Sequence, residues 1–430
     1  MTLADTHVHP PENPESTDPR LPLHGLVVLD LTTFLSGPYC TQILADLGAE
    51  VIKLEPLTGD SSRGIPPHFI GDDSAYYLGN NRNKTSVALN LKSSEGLEIA
   101  LGLAARADVV VENFRPGVAS KLGLDCDALR AERPGLIWAS ISGFGQSGPW
   151  RDRLAYDMIV QALSGVMSLT GHPEQPSARL GIPAGDLAAG MFAAIGVLAA
   201  VASRAVTGVG RTIDVSMLDG QLSMLSYQAV YALLTGTAPG PQSSRHDSIP
   251  TYRSFTGGDG RELVVTANTE RMWAGLCDVL GVPELVADER FRDARSRLTH
   301  RDELWPLLEQ AFLARDAAEW VDLLTAGQVP AALIKTVPEA LADAGDAGRG
   351  MLVDLADEAG HRVRTMATPI TFVGDRPRRH TYPPRLGQDT EEVLGRFLGI
   401  SGSRVAELRE AGILIAEPLA HDARGRTAGE

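Results

Sequence analysis

The sequence is short of lysine, of cysteine and of positive charge. Of 430 residues, five are lysine (Lys53, Lys84, Lys92, Lys121, Lys335) and three are cysteine, and 39 Lys and Arg face 54 Asp and Glu, a net charge of −15. A chain this acidic lacks the basic footprint that sequence-independent nucleic-acid binding needs, so nucleic acid is not an expected partner. Cys40, Cys126 and Cys277 are too few and too widely spaced for a disulfide framework or a zinc set, and no metal is expected. His7-x-His9 has no further ligand nearby. Residues 1–20 lack both a basic n-region and an apolar h-region, so they read as a disordered arm and not as a secretory signal. An uncharged, Ala/Gly-rich run, Leu187–Ser203, is 17 residues long, below the roughly 20 of a spanning helix. It reads as a buried core helix, with no membrane and a cytoplasmic location expected.

What is present is ordinary globular composition, 43% hydrophobic and 22% charged, over a length that suits two or three domains. Four of the five lysines precede position 122. Either they serve a local anionic ligand, or they are scattered survivors of a codon bias toward arginine.

The first half alternates strand and helix. Gly25–Thr32 is a compact β-branched run, and a helix follows with Pro38 in its first turn and Gly48 at its end. Val51–Glu55 completes a βαβ unit. Strands over Thr85–Leu91, Asp108–Asn113 and Leu136–Ser142 continue the pattern, with a helix over Ser93–Arg106. This predicts an α/β, doubly wound, Rossmann-like domain. Long helices are expected over 157–169, 186–206 and 217–235, with a short strand at Gly210–Met217. A linker dense in Gly, Pro and Ser (236–250) leads to a hairpin turning at Gly258–Gly260, to helices, and to more strand over Met351–Phe372.

Gly143-x-Gly145-x-x-Gly148 fits a dinucleotide fingerprint only if it opens a helix; Pro149 and Trp150 follow instead, so it reads as a glycine-rich turn. Cys40 sits among apolar residues as a packed thiol. Asp186, between Gly185 and the uncharged run, reads two ways. It is a helix N-cap, or a carboxylate nucleophile kept ionised at a helix N-terminus. Asn81–Lys84, Asn90–Lys92 and Glu112–Gly117 flank strand ends, where doubly wound sheets bind ligands; their Lys and Arg suit phosphate and Phe114 suits a purine ring. Solvated loop charge is the alternative.

Taken together, VLDLTTFLSGPYCTQILADLGAEVIKLEPLTGDSSRG (28–64), NRNKTSVALNLKSSEG (81–96), ADVVVENFRPGVASKLGL (107–124), PGLIWASISGFGQSGP (134–149) and AGDLAAGMFAAIGVLAA (184–200) resemble the family III CoA-transferases, the formyl-CoA and carnitine type. The resemblance runs from about Leu23 to Gly399. It implies that Asp186 is the nucleophile and that coenzyme A, as an acyl-CoA substrate, is met by Leu89, Asn90, Leu91, Lys92, Asn113, Phe114, Arg115, Lys121, Tyr156 and Asp157, with Arg63 near the same ligand. It also implies an interlocked, ring-like homodimer. Each subunit would have a large domain (21–225, completed by 345–400), a linker and smaller α+β domain (226–344) and a C-terminal extension (401–430).

In the implied mechanism Asp186 attacks the thioester, the CoA thiolate returns to give an aspartyl-CoA thioester, and an incoming acid reverses the cycle. Backbone N–H groups at the Gly185 turn are the candidate oxyanion donors. With a reference pKa of about 3.9, Asp186 is expected to be ionised at pH 7. Two departures bear on substrate. Leu35 stands where oxalate-using members carry Gln, which weakens oxalate as acceptor. Tyr156 stands where the related α-methylacyl-CoA racemases carry a His base, which weighs against an isomerase. A racemase and a non-catalytic CoA-binding protein remain as alternatives. The acceptor acid, expected near His246–Tyr252, is left open among dicarboxylic, aromatic, steroid and carnitine-like acids.

Overall fold

The computed structural model describes residues 20–237, 240–373 and 380–416. The His7/His9 pair and nearly all of the expected N-terminal arm lie outside the described residues, as does the extension beyond Ala416. The chain forms two compact units, one running up to Ser164 with Gly181–Leu225 and everything from Gly350, the other comprising Gly165–Leu180 and Ser226–Arg349.

In chain order the strands are β1 (Val27–Asp30), β2 (Glu50–Glu55), the short pair β3 (Phe69–Ile70) and β4 (Asp73–Ser74), β5 (Lys84–Leu89), β6 (Val109–Glu112), β7 (Ile137–Ser142), β8 (Thr212–Ser216), β9 (Arg253–Thr256), β10 (Glu262–Val265), β11 (Ala331–Leu333), β12 (Leu352–Ala356), β13 (Arg362–Met366) and β14 (Leu414–Ile415). The first unit is built on a sheet of order β14-β5-β2-β1-β6-β7-β8. All its neighbours pair parallel except β14, which runs antiparallel to β5. β1, β6 and β7 are buried along their whole length, as strands covered on both faces must be, and this is why they read as unbroken apolar runs. One core cluster lies on each face of the sheet. From β1 the chain winds outward through β2 to β5, then returns to place β6 on the other side of β1. The crevice at the ends of β1 and β6 is therefore the topological switch point, where such sheets bind ligands.

The apolar run becomes the helix Ala184–Thr207, which packs on the helix Ser36–Asp46. Gly190 allows this: a Cβ there would lie 2.6 Å from the Ser36 carbonyl oxygen. The helix is long and apolar enough to cross a membrane, yet half of its most apolar window is buried within the fold.

The expected single helices over 157–169 and 217–235 are each broken. Gly165 (φ 84°) separates Asp157–Leu163 from Val166–Leu169, and Ser226 (φ 48°) separates Met217–Met224 from Tyr227–Thr235. The extension expected from residue 401 belongs, as far as Ala416, to the first unit. A helix over Gly402–Glu410 leads into β14, whose Leu414 joins the core.

The second unit holds a three-stranded antiparallel sheet, β11-β10-β9, turning through Gly258–Gly260 between β9 and β10 as its sequence predicts. Trp273, Trp320, Phe291 and Phe312 fill its core.

Candidate active site

The loop after β1 is fixed by charges that never reach solvent. Lys53 Nζ lies 2.9 Å from Asp60 and donates to the Thr32 carbonyl at 2.7 Å. Asp60 accepts the Phe34 N–H at 3.1 Å. Across the switch point, Asn113 grips Thr33 from both sides: its Oδ1 accepts the Thr33 N–H at 2.9 Å and its Nδ2 donates to the Thr33 carbonyl at 2.8 Å. Asn113 Nδ2 also reaches Ser36 Oγ at 3.4 Å. These bonds hold Phe34 in the left-handed region (φ 64°), a conformation that non-glycine residues keep only when their surroundings impose it.

Ser36 is the point where this loop meets Asp186, whose carboxylate its hydroxyl hydrogen-bonds. Asp186 lies in the first turn of Ala184–Thr207, but it is not the cap. The helix begins at Ala184, its N-cap is Pro183, and the N–H of Gly185 donates 2.8 Å to Asp157 Oδ1. The Asp186 N–H faces the same oxygen at 3.4 Å. Glycine suits this position, because a Cβ on residue 185 would sit 3.0 Å from that oxygen and crowd it. Asp157 Oδ2 accepts from Gln161 at 2.7 Å. The Gly185 turn is thus already occupied by a carboxylate and does not offer the free oxyanion donors expected of it.

Two carboxyl groups at one helix N-terminus change the acidity of the second. Burial, followed by the charge of Asp157, pushes Asp186 up to about 7 against the opposing hydrogen bond from Ser36. Asp186 therefore holds its proton to much higher pH than a free aspartate, where its reference value suggests full ionisation at neutral pH. Tyr76, which sequence reasoning passed over, belongs to the same field. Burial, then Asp186, Asp60 and Asp157, push its phenol up to about 12, so it stays a neutral hydroxyl.

The expected CoA contacts divide into three groups. Lys92, Arg115 and Lys121 are exposed, follow the ends of β5 and β6, and form no ion pair among the described residues. Asn90, Leu91, Asn113 and Phe114 are partly buried beside them. Phe114 and Leu91 pack against the core, Asn90 Oδ1 accepts from the Lys92 N–H at 3.1 Å, and the Phe114 N–H donates to Glu112 at 2.8 Å. Tyr156 is 71% exposed at the start of Asp157–Leu163.

Leu89, Arg63 and Lys84 differ from expectation. The Leu89 side chain is wholly within the core and its residue pairs with Leu414, so it presents no side chain to a ligand. Arg63 is buried; it clamps Glu55 with Nε at 2.8 Å and Nη2 at 2.7 Å, and reaches Asp73, Tyr77 and the Pro384 carbonyl. Its charge is neutralised inside the fold. Lys84 is likewise buried, bonded to Asp30 at 3.1 Å and to Asn81 at 2.9 Å. Two of the four early lysines, Lys53 and Lys84, are therefore structural, which leaves Lys92 and Lys121 as the early lysines free to meet a ligand. The glycine-rich segment 143–148 is a turn after β7, with Gly145 and Gly148 at positive φ, and opens no helix. Cys40 is buried, and burial raises its thiol pKa.

Within the second unit, the segment expected to meet the acceptor carries a stack of rings. Tyr227 lies 6.2 Å from His246, which lies 5.6 Å from Tyr252.

Residues 23–390 match the family model of CoA-transferase family III. The chain belongs to that family. It is an enzyme, a CoA-transferase, and CoA thioesters are its substrates. It is 39% identical to an acetyl-CoA:oxalate CoA-transferase of Acetobacter aceti over 382 residues, covering 88% of this chain and 96% of that one. It is 34% identical to the human succinyl-CoA:glutarate CoA-transferase, with 91% and 90% covered. A crystal structure of a CAIB/BAIF family protein from Brucella suis superposes with a TM-score of 0.78 at 34% identity, covering 87% of this chain and 99% of that one. As a family III CoA-transferase the chain has its mixed α/β fold with a mostly parallel central sheet.

Proposed function

We propose that this CoA-transferase moves CoA from an acyl-CoA donor to a small dicarboxylic acid through covalent intermediates on Asp186. The observation that carries the reading is a half-buried carboxyl group beside the switch-point crevice, hydrogen-bonded by Ser36 and set against a second carboxylate, Asp157, at the Gly185 turn; burial and that charge push its pKa up. Ionised Asp186 attacks the thioester carbonyl, giving a mixed anhydride and CoA thiolate. The thiolate attacks the Asp186 carbonyl, releasing the donor's acid and leaving an aspartyl-CoA thioester. The acceptor carboxylate displaces CoA to form a new anhydride. CoA thiolate then attacks its acyl carbonyl, which frees the product acyl-CoA and Asp186. The thioester energy stays covalent throughout, provided water is kept away.

Lys92, Arg115 and Lys121 are the cations assigned to the CoA phosphates, with Asn113, which reaches Ser36 beside Asp186, and its neighbour Phe114 as further contacts. The dicarboxylate class follows from relatives named for oxalate, glutarate and mesaconate. Leu35 stands where oxalate-using members carry Gln, so the longer diacids are the favoured acceptors. An isomerase gains nothing from Tyr156, which has no imidazole. We further infer a homodimer. Within the first unit Met191, Phe192, Ile195, Leu222 and Met224 are exposed, and within the second Tyr231, Leu233 and Leu234, which is apolar surface of the kind that oligomers cover.

The test is to incubate the protein with succinyl-CoA, trap with borohydride or hydroxylamine and map the modified peptide. Modification at Asp186, absent in Asp186→Ala, is expected. Transfer that proceeds with Asp186 unmodified overturns the covalent mechanism. Light scattering during size-exclusion chromatography reads the dimer.

A further inference from the structure

A cavity of about 440 Å³ opens within the second unit, and none of the residues that line it is among those placed in the transfer reaction. Its size is that of a small-molecule site, which runs from about 300 to 1,000 Å³. Arg245 and Arg253 face each other across an isolated antiparallel bridge and both line the cavity. Their guanidinium carbons lie 4.8 and 4.9 Å from the centre of the same ring, Trp305. A third guanidinium carbon, that of Arg301, lies 5.6 Å from the same ring, so like charges crowd one indole, and of the two glutamates that line the cavity only Glu309 pairs with Arg245 or Arg253 among the described residues. Arg253 Nη2 bonds Glu309 at 2.6 Å, while Arg245 forms no ion pair among the described residues. Arg253 Nη1 is buried with no acceptor. Around the pair, Ser243, Ser244, Ser254 and Thr256 bring hydroxyl groups to the wall, and Phe255 and Leu313 bring apolar surface.

We propose that this cavity is a binding site for a small organic carboxylate, one carboxylate group seated on the Arg245–Arg253 pair and its remaining polar groups on the hydroxyl-bearing wall. A planar carboxylate suits guanidinium donors, and a bound anion removes the repulsion between the two arginines. Glu262 and Glu309 also line the cavity, and their charge favours a singly charged head group over phosphate. The site is independent of the Asp186 chemistry, since binding here needs neither CoA nor the covalent cycle.

The test uses the full-length protein without CoA, titrated with succinate, malate and inorganic phosphate at constant ionic strength. Tryptophan fluorescence and calorimetry are read together. Succinate or malate is expected to bind saturably and to change the fluorescence, the change disappearing in Trp305→Phe. Arg245→Gln is expected to weaken binding tenfold or more, and Arg253→Gln at least as much. Arg245→Gln decides the matter if Arg253→Gln does not fold, because Arg245 has no ion pair to lose. No saturable binding overturns the proposal, as does an unchanged affinity in Arg245→Gln. Phosphate binding as tightly as the carboxylates overturns the assignment of ligand class. Covalent trapping at Asp186 is measured separately, so a failure here leaves the transfer mechanism standing, and the reverse also holds.

Discussion

Asp157 Oδ1 accepts the N–H of Gly185 at 2.8 Å, one residue before Asp186. The carboxylate that completes the helix N-terminus is thus also the charge that opposes ionisation of its neighbour. Asp157→Asn keeps an oxygen for the Gly185 N–H and removes the charge. The pH profile of kcat/KM for CoA transfer should rise through a midpoint near 7 in the wild type, where Asp186 ionises. In Asp157→Asn that midpoint should move acidward by about one unit. Burial is the larger cause of the shift, so the midpoint should remain above that of a free aspartate. An unmoved midpoint would remove Asp157 from the electrostatics of the site.

The same shift has a thermodynamic consequence. Asp186 is raised from 3.8 to about 7, so between those values the folded protein binds more protons than the unfolded chain. Its contribution to stability is full below pH 4 and is lost as pH rises through 7. Asp186→Asn has no proton to lose. Its stability relative to the wild type should grow steadily from pH 4.5 to about 7 and then level off, by at most a few kcal/mol in all, since Asp186 is partly solvated. Thermal melts of both proteins across pH 4.5–8 read this directly; parallel curves would mean that Asp186 titrates normally.

Much of this was legible in the chain. Gly185-Asp186 ahead of an uncharged run marks the carboxyl group proposed here as nucleophile, and the β-branched stretches ending at Asp30, Glu55, Leu89, Glu112 and Ser142 mark the parallel strands, because strands covered on both faces leave no polar alternation to confuse. What sequence could not supply is proximity. Tyr76 lies 110 positions from Asp186, and no local pattern ties the two. Arg63 looks like a loop cation until the carbonyl of Pro384, 321 residues away, and Glu55 close by are seen to hold it. The helix breaks at Gly165 and Ser226 depend on backbone conformations that a continuous apolar period masks. The strand β14 escaped because two residues in a polar tail are too few to show a period.

The buried charges under the β1 loop offer a prediction about stability. Asp30 is fully buried; burial raises its carboxyl, but Lys84 and Lys53, with the hydroxyls of Thr32 and Thr41, outweigh that and bring it to about 2. Removing one cation leaves a charged group without its partner. Lys84→Met should therefore cost about 3–5 kcal/mol in urea unfolding, and pairing it with Asp30→Asn should recover a substantial part. Additive losses in the double variant would show that the two side chains are not coupled.

Arg63 and Lys92 contrast a structural cation with one proposed here to bind the ligand. Both lie in segments that resemble the CoA-binding region, yet Arg63 is buried against Glu55 and Asp73 whereas Lys92 is exposed with no ion pair among the described residues. A flexible surface lysine contributes little to folding, so Lys92→Ala should leave the unfolding midpoint within about 0.5 kcal/mol of the wild type. It should still raise KM for acyl-CoA several-fold by removing a charge from a phosphate, with kcat nearly unchanged. Arg63→Ala leaves two carboxylates facing each other inside the fold and should destabilise by several kcal/mol. What remains folded should keep a near-normal KM. If Arg63→Ala raises KM at full stability, the guanidinium reaches the ligand after all; if Lys92→Ala, Arg115→Ala and Lys121→Ala all leave KM unchanged, the phosphates of CoA are held elsewhere.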